Sequence, residues 1–319
     1  MNSTELAAAC GFAPAAGEGA RQVQGIFAGD LLSWAMGRAK EGDAWFTVMG
    51  NVNTVAVAAL TEKLGLNEPL LTQYLLFLKQ IFTLDFGNSF TYQMPVSELL
   101  ASRFPVTLAL TLMSTVISLV ISLPLGYFAG VHKDRLGDQV VRTTSLVAIS
   151  MPSFWVGLLL MIVFALKLKW LPAGGWSDTL LGQFRCLILP AVTQSLMTSA
   201  LLLRNTRNSV VDITRMDYVD FARSKGITSG EVRTRHVMRN AMISTVTLLS
   251  MRMAAMLGGS VIIETVFSVP GIGKLASDAI FGRDYAVVQY VVLLFAVLVL
   301  VINLITDILY SFLDPRVNL

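Results

Sequence analysis

Charged residues are scarce in this sequence. Only 14% of its 319 residues are Asp, Glu, Lys or Arg, whereas 54% are hydrophobic and the mean hydropathy is +0.65. A soluble domain usually carries about 25% charged residues, spread along the chain. Here the charges are grouped and long apolar runs separate the groups. This pattern excludes an ordinary soluble domain and predicts an all-α, polytopic transmembrane protein. The net charge of +3 gives no reason to expect nucleic acid as a partner.

Metal-binding and catalytic patterns are also missing. Two cysteines, Cys10 and Cys186, and two histidines, His132 and His236, lie far apart and fit no metal-ligand spacing. No phosphate loop, G-x-S-x-G or H-E-x-x-H motif occurs, and residues 271–274 (GIGK) lack the upstream glycine and the final Ser or Thr of a phosphate loop. We therefore expect no catalytic, cofactor or metal site in this chain, which argues against an intramembrane enzyme.

Five apolar runs approach the length that a membrane-spanning helix needs, about 20 residues. They are Phe104–Phe128, Leu146–Leu166, Leu187–Leu203, Met242–Phe267 and Tyr285–Tyr310. Lys and Arg are concentrated in alternate connections, after the first run and between the third and fourth, so the positive-inside rule places these connections in the cytoplasm. We predict a transmembrane domain over residues 101–314, with a cytoplasmic tail over 315–319.

The first hundred residues have a different composition. Residues 1–52 are predicted to be an atypical N-terminal segment, because their apolar stretch Ile26–Met36 is too short to span a membrane and contains Asp30. Residues 53–100 resemble a soluble segment with an amphipathic helix around Leu70–Ile81. Five predicted spans follow this segment and the tail after them is predicted to be cytoplasmic. An odd number of crossings places the segment on the outer side of the membrane.

The basic connection over residues 204–240 is too long and regular to be a simple loop. Asp212–Lys225 is predicted to form a helix, and Gly226 follows as a residue that takes a left-handed conformation without penalty. Thr228 and Glu231 then match a capping box, with Thr228 as N-cap and Glu231 at the third helical position. We expect a helix, a tight turn and a second helix on the cytoplasmic side.

Two roles fit such a hairpin. Tyr218 and Phe221 would be available for contact with a partner protein, which makes the hairpin a docking site. Alternatively, its many basic residues would anchor it to anionic lipid headgroups, as basic juxtamembrane segments often do. The residues alone leave both roles open.

Several short motifs resemble bacterial ABC importer permeases of the dipeptide, oligopeptide and nickel branch. Residues 217–226 (DYVDFARSKG) look like the EAA loop of that family, with Asp220, Phe221 and Ala222 at its E-A-A positions and Gly226 at its glycine. Further matching motifs are RHVMRNA (235–241), ETVFSVPGIGKL (264–275), RDY (283–285), NL (303–304) and LDPR (313–316). Upstream, LGL (64–66), PL (69–70), QY (73–74), DFG (85–87) and Ser89 resemble the external segment of the "B" permease. The match runs from about residue 60 to the end.

The sequence departs from that family at two points. Asp220 and Phe221 replace the Glu and the first Ala of the motif; Asp keeps the charge, but the bulk of Phe requires a groove that admits it. The family also begins with a spanning helix ahead of the external segment, and no run in residues 1–50 predicts one.

The resemblance implies a type I ABC importer permease fold in the bacterial inner membrane. It implies a second homologous permease, two ATPase subunits that bind the ATP, and an extracytoplasmic solute-binding protein as partners. Substrates of the branch are dipeptides, oligopeptides, glutathione, nickel or metal chelates. The EAA-type loop would be a coupling helix that lies in a groove of one ATPase. The residues assigned to this loop are Asp217, Tyr218, Asp220, Phe221, Ala222, Gly226, Thr228 and Glu231.

Charged residues inside the spans are candidates for a transport pathway, because they are costly in a membrane. Arg252 lies about ten residues into the fourth run, near mid-bilayer at a rise of 1.5 Å per residue. It is predicted either to line the pathway or to form an ion pair. Glu264 leads into a turn with Pro270 and Gly271, and we expect a structural role at an outer gate more than substrate contact. The alternative function is an ion-driven secondary transporter, although no inverted repeat or matching pair of broken helices supports it.

Overall fold

A computed structural model describes residues 25–28, 43–46 and 69–313. The chain divides into two compact units, residues 1–85 and 86–319. In the first unit, strands β1 (Gly25–Ala28) and β2 (Asp43–Phe46) pair in parallel. The rest of the N-terminal segment predicted over 1–52 lies outside the described residues, as does the tail predicted over 315–319.

The first unit also contains helix α1 (Leu70–Thr83). This helix confirms the amphipathic helix predicted around Leu70–Ile81. It ends at Leu84, whose φ of 55° is left-handed and whose N–H bonds to the carbonyl of Ile81. A left-handed residue after the last turn is a common way to end a helix.

The described part of the second unit is helical. In chain order its α-helices are α2 (Val96–Val131), α3 (Leu136–Ser150), α4 (Ser153–Leu160), α5 (Leu180–Thr214), α6 (Asp217–Ser224), α7 (Ser229–Glu231), α8 (Arg239–Val266), α9 (Ile272–Phe281) and α10 (Tyr285–Leu313). A π-helical stretch, Met161–Lys167, continues α4, and a second one, Val232–Met238, joins α7 to α8. Apart from the β1–β2 pair, the described residues therefore confirm the predicted all-α class.

Four helical segments of the described chain are long and apolar enough to cross a membrane. They are Val96–Val131, Leu180–Thr214, Ser229–Val266 and Tyr285–Thr306. A fifth span is obtained if α3 and α4 with its π-helical continuation count as one broken span. Each predicted apolar run overlaps one of these five, although two runs end later than their segments, at Phe267 and Tyr310. Several of the helices also extend into polar residues that a hydropathy criterion leaves out.

The second predicted run, Leu146–Leu166, is not one straight helix. The chain bends by 103° between α3 and the segment that starts at Ser153. Met151 is extended, with φ −87° and ψ 132°, because the ring of the following Pro152 disfavours the helical region for the residue before it. Prediction of a continuous span here is therefore wrong.

The two longest helices, α2 and α5, pack closely along each other. A Cβ atom on Gly126 would lie 2.8 Å from the Cβ of Thr206, and one on Gly130 would lie 2.7 Å from the Cβ of Val210. Real Cβ atoms do not approach so closely, so both positions require glycine. Small residues four apart permit such helix contacts in membranes, and the Gly126/Gly130 pair is an example.

The segment before α2 is tied to the connection between α9 and α10. The buried carboxylate of Asp284 accepts hydrogen bonds from Ser89 Oγ at 2.6 Å and from the N–H of Thr91 at 3.0 Å. Ser89 and Asp284 are both motif residues, and they lie 195 positions apart in the sequence. The starts of α2 and α10 are therefore held to one another within the second unit.

Candidate functional site

The predicted hairpin is present but begins later than expected. Helix α5 continues to Thr214, and the chain breaks at Arg215 and at Met216, which is extended with φ −80° and ψ 142°. The prediction of one helix over Asp212–Lys225 is therefore wrong. Asp217 lies in the first turn of α6, where a carboxylate is stabilised by the positive end of the helix dipole. This preference explains why a new helix starts there.

The turn after α6 has the predicted chemistry. Gly226 has a φ of +79°, and its N–H donates to the carbonyl of Arg223 at 2.9 Å. Thr228 is the N-cap of α7, since its Oγ1 accepts from the N–H of Glu231 at 3.3 Å. The carboxylate of Glu231 lies 3.6 Å from Arg235 instead of returning to Thr228. The capping box is thus only half formed, because the acidic side chain pairs along its own helix.

One face of α6 is fixed by packing. Val219 and Ala222 are buried. They belong to an apolar cluster whose other buried members are Val210, Val232, Val237 and Ala241. The cluster joins α5, α6, the π-helical stretch and α8, so the hairpin (residues 215–238) is anchored on both arms. Ala222, one of the predicted motif positions, therefore holds the hairpin together from inside.

The opposite face of α6 carries exposed aromatic and charged side chains. Phe221 is 61% exposed and Tyr218 is 40% exposed. The ammonium of Lys225 lies 4.6 Å from the Phe221 ring centroid, within cation–π range. Asp220 pairs with Arg223 at 3.1 Å, and both side chains remain largely exposed. Exposed aromatic residues such as these two are enriched at protein–protein interfaces.

The position of Tyr218 is fixed by the second arm of the hairpin. Asn240 Nδ2 donates to the phenolic oxygen of Tyr218 at 2.9 Å and to the carbonyl of His236 at 2.8 Å. The Asn240 amide thus links the exposed face of α6 to the start of α8. The predicted residues Asp217, Tyr218, Asp220 and Phe221 come together on this surface.

A buried ion pair next to the hairpin was missed by the sequence analysis. Arg207 donates from Nη2 and Nε to the two oxygens of Asp138, at 2.6 and 3.1 Å. The Asp138 side chain is fully buried and also accepts from the N–H of Asp134 at 2.9 Å. This bidentate pair connects the start of α3 to the end of α5. Its only signal was an acidic residue among the basic ones of the first connection that the sequence predicts to be cytoplasmic.

Glu264 lies at the other end of α8 and is fully buried. Its carboxylate accepts from Thr107 Oγ1 at 2.7 Å and from the N–H of Lys274 at 2.9 Å. Thr107 Oγ1 in turn accepts from the N–H of Ile272 at 2.8 Å. Glu264 and Thr107 therefore satisfy N–H groups in the first turn of α9, which have no partner within that helix. This geometry favours the structural role predicted for Glu264, and Thr107 is a further member that the sequence did not indicate.

The glycines of the following turn leave room for that carboxylate. A Cβ atom on Gly271 would collide with the Glu264 carboxylate and with Thr107 Oγ1. A Cβ atom on Gly273 would lie 2.7 Å from the Cα of Val261. Pro270, which precedes these contacts, is half-buried. We call Thr107, Glu264 and Gly271 the gate cluster, after the place at an outer gate that the sequence predicts for Glu264.

Arg252 lies in the middle of α8 and is half-buried. Among the side chains that the structure describes, no carboxylate lies within ion-pair distance of its guanidinium. Its neighbour Met251 is 67% exposed. The structure therefore does not place Arg252 with the gate cluster or the hairpin, and it offers no described partner for the predicted ion pair.

Comparison with known proteins gives the family. Residues 122–319 match the family described as binding-protein-dependent transport system inner membrane component. The chain belongs to this family. A putative peptide transport system permease protein of Brucella suis is 35% identical over 292 residues, which cover 90% of this chain and 93% of that protein. The oligopeptide transport system permease protein AppB of Bacillus subtilis is 38% identical over 296 residues, covering 90% and 93%. The glutathione transport system permease protein GsiC of Salmonella typhi is 38% identical over 262 residues, covering 82% and 84%.

A solved structure supports the fold. An inward-facing conformation of the MetNI methionine ABC transporter aligns with a TM-score of 0.57 and 18% identity, covering 68% of this chain and 96% of that one. The likeness confirms the predicted type I ABC importer permease fold.

The chain is thus a permease component of a binding-protein-dependent importer in the bacterial inner membrane. The family description itself implies a binding protein as a partner of this component. This family membership disfavours the alternative of an ion-driven secondary transporter. The related proteins are named as permease proteins of transport systems.

Proposed function

We propose that this chain is one of two homologous permeases that import dipeptides, oligopeptides or chemically related solutes such as glutathione. Relatives that carry peptide and glutathione names, each matching more than four fifths of the chain, support this substrate class. Nickel and metal chelates remain within the proposal as substrates of the same branch. Two ATPase subunits and one extracytoplasmic binding protein complete the assembly.

The exposed face of α6 is the surface that contacts an ATPase subunit. The observation that carries this assignment is the division of α6 into two faces, with Val219 and Ala222 buried and Phe221 exposed. Because both arms of the hairpin share one apolar cluster, a push on α6 is transmitted to α5 and α8 as a rigid displacement. The Asp138–Arg207 pair extends the same connection to α3.

The gate cluster and Arg252 have separate roles in this proposal. The gate cluster joins α2, α8 and α9 through Thr107, Glu264 and the turn at Gly271, so these elements move together at the outer end of the pathway. Arg252 lies about 18 Å from Glu264 along α8, at 1.5 Å per residue over twelve residues. A charge at this depth with no described partner is suited to line the pathway.

Reconstitution of the complete importer tests the docking surface. Phe221→Ser removes the exposed aromatic ring. Loss of an interface hot spot that contributes about 2 kcal/mol to the binding free energy weakens binding of the ATPase subunit about 30-fold. We expect ATPase subunits to be lost from the purified complex and uptake of a labelled peptide to fall. Phe281→Ser is the control, because Phe281 is 85% exposed but lies at the end of α9 that follows the gate cluster.

The solute retained by the co-purified binding protein tests the substrate class. We expect mass spectrometry to identify short peptides or glutathione after denaturation of that protein. A solute of another chemical class would refute the substrate assignment while leaving the docking surface unaffected.

A further inference from the structure

An open pocket of about 460 Å³ lies beside the first turns of α5, far along that helix from the hairpin. Its walls come from the residues after the π-helical stretch Met161–Lys167 and from the first turns of α5. Arg185 lines the pocket and Thr214 ends α5 beside the hairpin, so the two sites are separated by about 43 Å of helix at 1.5 Å per residue.

Two cationic side chains line this pocket, those of Lys169 and Arg185. Arg185 is held in place because its Nη2 donates to the carbonyl of Trp170 at 3.0 Å, which leaves its other N–H groups for a ligand. Lys167 adds a third basic residue close in sequence, and Asp178 is the only acidic residue between Lys167 and Arg185. The pocket therefore has an excess of positive charge in a connection that the positive-inside rule would leave poor in it.

The backbone at Lys169 is also unusual. Its φ is 55°, in the left-handed region that a residue with a Cβ atom seldom takes. The N–H of the next residue, Trp170, closes this turn onto the carbonyl of Phe164 at 2.9 Å. Glycine would make the turn at lower conformational cost, because it has no Cβ atom. The turn brings Lys169 and Trp170 together at the wall of the pocket.

The surroundings of the pocket are those of a membrane boundary. Trp170 is 62% exposed, and tryptophan is enriched at the level of lipid headgroups. On α5, beside Arg185, the side chains of Leu180, Leu181 and Phe184 are 85%, 72% and 55% exposed. Cationic groups next to exposed apolar side chains match a ligand that has both a negative headgroup and acyl chains.

We propose that this pocket binds the phosphate of an anionic phospholipid, with Lys169 and Arg185 as its ligands and with the exposed face of Leu180, Leu181 and Phe184 against the acyl chains. The orientation in the proposed function places this pocket at the outer leaflet of the membrane. The proposed lipid binding does not depend on that orientation. A free phosphate anion shares the headgroup chemistry but would gain nothing from the apolar face.

Native mass spectrometry of the full chain, purified in detergent, tests this site. The probes are phosphatidylglycerol, phosphatidylcholine with the same acyl chains, and inorganic phosphate. We expect the wild type to retain phosphatidylglycerol in preference to phosphatidylcholine. Lys169→Gly should reduce this retention about fivefold, the effect of one basic residue at an anionic surface, and Arg185→Gln should reduce it by a similar factor.

Arg283→Gly is a matched control for Lys169→Gly. Arg283 is also exposed and has a φ of 53°, so both changes remove one basic side chain and relieve one left-handed residue. We expect Arg283→Gly to retain phosphatidylglycerol like the wild type. Equal retention by Lys169→Gly and wild type, or equal binding of the two phospholipids, would overturn the proposal. Displacement of the lipid by inorganic phosphate would identify a free-anion site and overturn it as well. Since lipid retention requires no ATPase partner, loss of the docking function would leave this result unchanged.

Discussion

Replacement of Gly226 by valine perturbs the turn of the hairpin and little else. A Cβ atom at this position would find no heavy atom within 4 Å, so the added Cβ itself meets no clash. The cost comes from the φ of +79°, which a β-branched residue rarely takes. Holding such a residue in the left-handed region costs about 1–3 kcal/mol of conformational free energy. This cost shifts the equilibrium from the formed toward the opened hairpin about 5-fold to 150-fold.

Two other substitutions separate backbone strain from bulk. Gly226→Asn should lose much less activity than Gly226→Val, because asparagine tolerates the left-handed conformation better than other residues with a Cβ atom. Gly230→Val adds the same side chain within α7, where φ is not positive and the Cβ position is also empty. We expect Gly230→Val to support uptake like the wild type.

The assay compares ATPase co-purification and ATP-dependent uptake for these variants in the complete importer. In Gly226→Val, membrane insertion should persist because the spans lie outside the turn, whereas uptake should fall in proportion to the opened hairpin. If the hairpin only anchored the chain to lipid, removal of charge in Arg233→Gln with Arg235→Gln would matter more than Gly226→Val. Full uptake by Gly226→Val would refute the coupling role.

Three further predictions concern the spans. Arg252→Met should reduce uptake while the complex stays assembled and its ATPase activity stays measurable; a lower yield of intact complex would indicate a structural ion pair instead. Glu264→Ala should lower the thermal unfolding temperature, because it leaves the N–H of Lys274 and the hydroxyl of Thr107 without their acceptor, at a cost of about 1–3 kcal/mol; an unchanged temperature would contradict the capping role. Cysteines at Thr72 and Ser229 should react with impermeant reagents from opposite faces of the membrane, and labelling from the same face would contradict the predicted topology.

The apolar runs and the turn chemistry were predictable because each depends on residues that are close in sequence. Hydropathy locates the spans, Gly226 follows from the need for a left-handed residue, and Thr228 follows from its N-cap preference. The break between Arg215 and Asp217 was missed because the local pattern of apolar residues continues through it. The bend at Pro152 had a local signal, the proline itself, which the unbroken hydropathy of the run outweighed.

Contacts between distant residues were not predictable. Asp138 and Arg207 are 69 positions apart, and Thr107 and Glu264 are 157 apart. No periodicity in one sequence states which buried polar groups face each other, because this depends on how the helices pack. The residues of α6 show the same limit, since the motif places Phe221 and Ala222 side by side, and only packing makes one exposed and the other buried.

Site-specific photo-crosslinking from position 221 measures the central claim most directly. A crosslinking amino acid in place of Phe221 projects from the exposed face of α6, and the same amino acid at position 281 lies at the opposite end of the molecule in the predicted topology. In the assembled importer we expect position 221 to form an adduct with an ATPase subunit and position 281 to form none. Adducts of position 221 with lipid alone, in a complex that still hydrolyses ATP and transports solute, would contradict the assignment of α6 as the docking surface.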